Sequence, residues 1–220
     1  MNKKLIVIAM IAAFTVTGCA NMTGTQKGAA IGAGVGAVAG AIAGKGKGAV
    51  IGGAVGAGIG AIAGNAWSKK MEAQKKEMEA ATQGTGVEVT KTADNQLKLE
   101  IPSDLSFAVG SASLDLDFKK ILNTFATGLV KNPSAALTIV GHTDSTGKDA
   151  VNDPLSLKRA NSVRDYLVTK GVGSSRFMTE GHGSHEPLVA NDTAANKAKN
   201  RRVEIFVAEP AAPAEVVPTK

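Results

Sequence analysis

Cysteine occurs once among the 220 residues, at position 19, so no disulfide can form within the chain. Aromatic residues make up 4% of the chain, with one Trp and one Tyr. Histidine occurs three times, at His142, His182 and His185, and no His-Glu-x-x-His pattern exists. Together with Asp144 those histidines are the material for a metal or catalytic cluster. No nucleophile stands beside a base, so the expectation is no enzyme, no metal ligand set and no cofactor. The formal charge of +6 is not one basic face. Lys3 and Lys4 lie at the N-terminus, Lys27, Lys45 and Lys47 flank glycine-rich stretches, and the C-terminal part is near balance. Without a basic surface interleaved with aromatics, nucleic acid is excluded as the expected partner. The N-terminal apolar run "LIVIAMIAAFTV" is shorter than the roughly 20 residues of a spanning helix.

Two lysines, that apolar run and the small-residue stop "TGCA" have the layout of a signal peptide over residues 1–18. The stretch "VTGC" resembles a bacterial lipobox, which implies lipidation of Cys19 after cleavage. Ala20 at the next position implies, by the same resemblance, sorting to the outer membrane. An ordinary secretory leader with a chance cysteine is the alternative.

From Gly24 to Gly64 every fourth residue is glycine, eleven positions without a miss. Residues 28–44 and 48–64 repeat one another at 12 of 17 positions, separated by "KGK". Glycine disfavours a helix in water by about 1 kcal/mol relative to alanine. In a bilayer the backbone must satisfy its own hydrogen bonds, and small residues four apart let helices approach closely. Residues 19–64 therefore read as a lipidated N-terminus and a glycine-zipper membrane hairpin, with Lys45 and Lys47 at the far turn. Homo-oligomerisation through the glycine faces is a further expectation. A flexible linker or a soluble oligomer is the competing reading. Two crossings would return the chain to the side on which it started.

Residues 65–85 contain strong helix formers, with Trp67, Met71 and Met78 as a narrow apolar stripe, and read as a helical spacer. After Gly84 the texture changes. Alternation around "ADN" over 86–101 predicts a β-hairpin. Leu114, Phe118, Ile121, Leu122, Phe125 and Leu129 line one face of a helix over 113–132. "ALTIVG" predicts a buried strand, and 152–171 a helix with an Asp-Pro start and a Gly stop. Its apolar face is Leu155, Val163, Tyr166 and Leu167. A strand over 176–182, a short helix over 192–200 and a strand over 201–208 complete an α+β sandwich of order ββαβαβαβ. The Pro/Ala-rich tail, 209–220, reads as disordered.

The stretches "GHTDSTG", "NDPLSLKRANSVRDYL", "EGHGSHEPLVAND" and "NRRVEI" resemble the peptidoglycan-binding domain of the outer membrane protein A family. The resemblance covers about 86–208. With the lipobox and the glycine zipper, the whole chain is similar to small lipoproteins of that family. It implies a ligand, the diaminopimelate of the peptidoglycan stem peptide, bound by Asp144 of T-D-x-x-G and Arg159 of L-S-x-x-R-A. Thr143, Asn200 and Arg201 match the same motifs around the site. The chemistry suits the residues: an aspartate accepts from the ligand's ammonium and an arginine forks onto its carboxylate. Asn152, beside the expected start of the helix, can meet a carboxylate there. Simple pairing of Asp144 with Arg159 is the alternative. Ala108 after Phe107, and Val151 before Asn152, depart from residues the family often carries.

These readings lead to an outer-membrane lipoprotein that tethers membrane to cell wall, its C-terminal domain in the periplasm. The alternative is a glycine-zipper protein that acts on membranes or oligomerises, for which the C-terminal domain is only an anchor.

Overall fold

The computed structural model describes residues 67–209. Helix α1 (Lys69–Ala81) starts at Ser68, whose hydroxyl accepts from the amides of Lys70 and Met71. The hairpin β1 (Glu88–Lys91) and β2 (Leu97–Pro102) turns through Asn95, which takes a left-handed φ of 60°. A single turn, α2 (Ser103–Ser106), follows. Then come α3 (Leu116–Lys131), β3 (Ala136–Gly141), α4 (Asp149–Thr169), β4 (Phe177–Gly181), α5 (Ala194–Asn200) and β5 (Arg202–Ala208). The expected α+β order is present, with α2 added.

The five strands form one sheet in the order β1-β2-β5-β3-β4. Only β3 and β4 are parallel, as a strand–helix–strand crossover through α4 requires. The other neighbours are antiparallel. Alternation sends Leu97, Leu99, Ile101, Leu137, Ile139, Val203, Ile205 and Val207 into one core with Phe118, Leu122, Phe125, Val163 and Leu167. The opposite face carries Lys98, Glu100, Arg202 and Glu204, joined by ion pairs.

Three expectations are corrected. The segment read as a spacer is part of the domain: Met71 and Met78 are fully buried, and α1 packs on α3. Leu114 does not begin the helix. Asp115 is its N-cap, and Leu114 forms an isolated bridge with Phe107 instead. Helix α4 starts at Asp149, ahead of the Asp-Pro pair, and holds Pro154 in its second turn. The carbonyl that proline leaves unpaired belongs to Ala150, an exposed residue that water can reach.

The leader, Cys19, the glycine segments with Lys45 and Lys47, and the tail from 210 on lie outside the described residues. Among the described residues no helix is long and apolar enough to cross a membrane.

Helix α4 is seated on two glycines that pair with each other across β3 and β4, Gly141 and Gly181. A Cβ on Gly141 would overlap the Ser156 carbonyl, and one on Gly181 the backbone of Leu157. The obstacle is helix backbone in both cases, so the neighbour cannot swing away. Gly181→Ala should lower stability by about 1–3 kcal/mol or more, read as an earlier thermal melt of the domain. A melt matching wild type would show that α4 does not depend on this contact.

Candidate functional site

Beyond Gly141 the chain runs on, still buried, through His142, Thr143 and Asp144 before it reaches the surface at Ser145. The Thr143 amide donates to the Gly183 carbonyl at 2.8 Å, and the His142 amide to the Arg202 carbonyl at 2.9 Å. Asp144 then makes an Asx turn, accepting from the Thr146 amide at 2.7 Å on Oδ1. Gly147, with φ of 94°, lets the loop fold back into α4.

Asp144 is 7% exposed. Its Oδ2 accepts from Arg201 Nη1 at 2.8 Å. Arg201 reaches the other way to Asp104, with Nη2 2.8 Å from Oδ2 and Nε 3.2 Å from Oδ1. Burial alone would raise the Asp144 pKa. The hydrogen bonds from Arg201 and Thr146 outweigh it and hold the carboxyl below its ordinary range. Arg201 is shifted upward by its two carboxylates, Asp104 first.

Arg159 is 4% exposed, yet no carboxylate pairs with it. Its Nε donates to the Ser111 carbonyl at 3.0 Å, and Nη1 lies 3.4 Å from Ser103 Oγ. The guanidinium carbon stands 5.1 Å from the centre of the Phe107 ring. Burial, then the charge of Arg201, lowers its pKa, with Asp104 and Asp144 opposing. A buried arginine is ordinarily paired. Here three of its five N–H groups have no acceptor in the described domain. The open alternative, a direct Asp144–Arg159 pair, is thereby resolved: Arg201 has taken the aspartate and Arg159 is left available.

The other expected residues fall in different roles. Thr143 is buried, and its hydroxyl has no partner among the described residues. Asn152 is not beside the N-cap. Because α4 starts at Asp149, it is the fourth helical residue, and its amide donates to the carbonyls of Asp144 and Thr146. It braces the loop from behind and presents nothing outward. For the same reason Arg159 lies in the third turn of the helix. Asn200 is fully buried, its amide holding both the N–H and the C=O of Val189. Of the two departures from the family, Ala108 is exposed and Val151 is 61% exposed at the rim.

Asp104, Ser103 and Ser111 are additions that no local pattern announces, and Phe107, which the sequence singles out only through the residue after it, stands against Arg159. Asp104 meets Arg201 across 97 residues of sequence. The four residues of the enzyme alternative do not converge. His142 and His182 meet edge to face at 5.3 Å, His185 turns to Asp153 at 3.1 Å, and Asp144 is held by Arg201.

A five-stranded sheet backed by helices, with two carboxylates and two guanidiniums gathered near the C-terminal end of β3, defines an α+β domain. The chain belongs to the OmpA family. That family's model matches residues 106–201, and the YMGG-like Gly-zipper model matches residues 1–68. The chain is similar to the Escherichia coli K12 protein described as "Probable lipoprotein YiaD", 37% identical over 93% of this chain and 98% of that protein. It is 46% identical to the "Peptidoglycan-binding protein ArfA" of Mycobacterium tuberculosis, over 47% of this chain and 32% of that protein. Among solved structures, the cell wall anchor of the T6SS from Pseudomonas aeruginosa aligns with a TM-score of 0.55 at 30% identity. That match covers 62% of this chain and 96% of the anchor. The periplasmic domain of Helicobacter pylori MotB aligns with a TM-score of 0.52 at 28% identity, over 59% and 83% of the two chains.

Proposed function

We propose that the protein is an outer-membrane lipoprotein that binds peptidoglycan without covalent attachment, through the diaminopimelate of the stem peptide. The observation that carries the reading is Arg159, buried, charged and without a carboxylate partner beside an ionised aspartate. The far end of diaminopimelate is an amino-acid head with one ammonium and one carboxylate. The ammonium lies against Asp144, and the carboxylate takes the fork of Arg159. Asp104, Asp144, Arg159 and Arg201 sum to zero charge, as does the head they receive, so binding leaves no buried excess charge. Arg201 positions the Asp144 carboxylate by holding one of its oxygens. The similarity to the peptidoglycan-binding protein ArfA and to the T6SS cell wall anchor supports peptidoglycan as the polymer bound.

The site is suited to binding and not to turnover. A general base works best with a pKa near the operating pH, and Asp144 is shifted the other way.

Asp144→Ala and Arg159→Ala should each remove most sedimentation with purified sacculi. Truncating one partner of a buried, hydrogen-bonded charge pair costs about 2–5 kcal/mol. Circular dichroism should show both variants folded. Wild-type sedimentation by both would refute the site.

Anchoring completes the reading. Cys19 carries the lipid in the periplasmic leaflet, and the hairpin 28–44/48–64 crosses the outer membrane twice and returns the domain to the periplasm, where the wall lies. Cys19→Ser should abolish palmitate incorporation, and deletion of 24–64 in that background should release the chain from membranes. Undiminished labelling would remove Cys19 as the acceptor. Release by Cys19→Ser alone would count against the hairpin as an anchor.

A further inference from the structure

On the opposite side of β3's end from Arg159 lies a second buried polar cluster that the binding reading does not use. His142 is 2% exposed, and neither of its ring nitrogens has a hydrogen-bond partner. An imidazole buried in that state offers a lone pair to an empty direction. Beside it His182, 5% exposed, is held between two carboxylates, with Nδ1 3.1 Å from Glu186 Oε2 and Nε2 3.0 Å from Glu180 Oε2. The second oxygen of Glu186 is buried and also unpartnered. One ligand atom each from His142, His182 and Glu186 lies within 4.8 Å of the others.

We propose that His142, His182 and Glu186 form a binding site for one divalent zinc-type ion, which staples the end of β3 to the loop after β4. Two imidazoles and one carboxylate are a donor set that suits zinc and leaves a fourth position for water or another carboxylate. Each ring already has a carboxylate neighbour for the nitrogen the ion does not take. For His182 it is Glu180 or Glu186, and for His142 it is Glu204, whose Oε2 is 3.9 Å from Nε2. Metal-bound histidines ordinarily have such a partner. The side chains of Glu180 and Glu186 are 22% and 19% exposed, which gives an ion a path from solvent to the buried rings.

The competing occupant is a proton. His182 can donate to both glutamates only as an imidazolium, and the pair of carboxylates favours that form. A proton on His182 leaves the His142 nitrogens and Glu186 Oε1 unpartnered, whereas an ion satisfies all three residues at once. Sequence patterns group His142 and His182 with His185 and Asp144, and without an H-E-x-x-H motif they point to no metal site. The fold turns His185 and Asp144 away and supplies Glu186.

The staple has a mechanical consequence. The loop that carries His182 and Glu186 also gives its Gly183 carbonyl to the Thr143 amide, one residue before Asp144. An ion on this cluster therefore fixes the strand end from which the ligand-binding aspartate projects.

The test uses the full-length chain in detergent, with Cys19→Ser to remove the sole thiol, stripped with chelator and titrated with Zn²⁺ by calorimetry. Co²⁺ serves as the spectroscopic probe. One ion should bind per chain, with the visible bands of four- or five-coordinate cobalt. Glu186→Gln keeps the shape of a side chain and should weaken binding at least tenfold. His142→Asn should do the same, and His185→Ala should leave affinity unchanged. If wild type takes up neither ion, or if Glu186→Gln binds as tightly as wild type, the site is a protonated histidine between glutamates and the proposal fails. Should His142→Asn not fold, the cobalt spectrum and Glu186→Gln decide alone.

Discussion

The contact on which the site depends contains no charge. Gly141 and Gly181 face each other in adjacent parallel strands, and the backbone of α4 at Ser156 and Leu157 lies directly on them. Close seating fixes the height of the helix above the sheet. It also fixes where Arg159, one turn further on, stands relative to the chain leaving β3. Any side chain at either glycine would lift the helix off the strand ends. The hydroxyl of Ser156 completes the seat by accepting from the Gly183 amide at 2.9 Å. Apolar packing of Val163 and Leu167 holds the rest of the helix on the same core.

On that frame the charges are arranged by what they are denied. Arg201 bridges Asp104 and Asp144, which keeps the aspartate ionised and prevents it from collapsing onto Arg159. Arg159 is buried against Phe107 and two neutral oxygens, which leaves its guanidinium without a direct ion-pair partner. Removing a charge from water is costly unless it is paired, so an arginine in this state is a stored preference for an anion. The residue after Arg201, Arg202, shows the contrast. Alternation turns it to the far face, where Glu204 pairs with it at 2.8 Å. Burial opposes ionisation of Glu204, yet the charges of Arg202 and Lys98 and the hydrogen bond from Arg202 help pull its pKa down to about 2. Neighbouring arginines in one motif thus turn opposite ways, Arg201 toward Asp144 and Arg202 toward Glu204.

Periodicity was sufficient for the order of helices and strands, because each long element buries one stripe or alternates across the sheet. It failed where the determinant was tertiary. The turn α2 is four residues long, too short for any period, and exists between a β2 proline and the Phe107 bridge. Asp153-Pro154 looked like a helix start, although Lys148 already caps the helix five residues earlier. For the candidate site, Asp144 and Arg159 could be nominated from the family resemblance, and Asp104 could not, since its partner is 97 residues away. Asn152 and Asn200 belong to the same motifs as Asp144, Arg159 and Arg201 but face inward. Their place in a motif reflects the loop they hold, which residue spacing cannot distinguish from ligand contact.

The central claim is that Arg159 receives the carboxylate at the far end of diaminopimelate. It is tested most directly by NMR on full-length protein in detergent, labelled with nitrogen-15 at arginine. The protein would be titrated with a stem peptide ending in diaminopimelate and then with one ending in lysine, which lacks that carboxylate. The account predicts that the Arg159 Nε–H resonance moves as it exchanges the Ser111 carbonyl for the ligand, and moves only with the diaminopimelate peptide. Equal shifts with both peptides, or an Arg159 resonance unmoved at saturation, would contradict it.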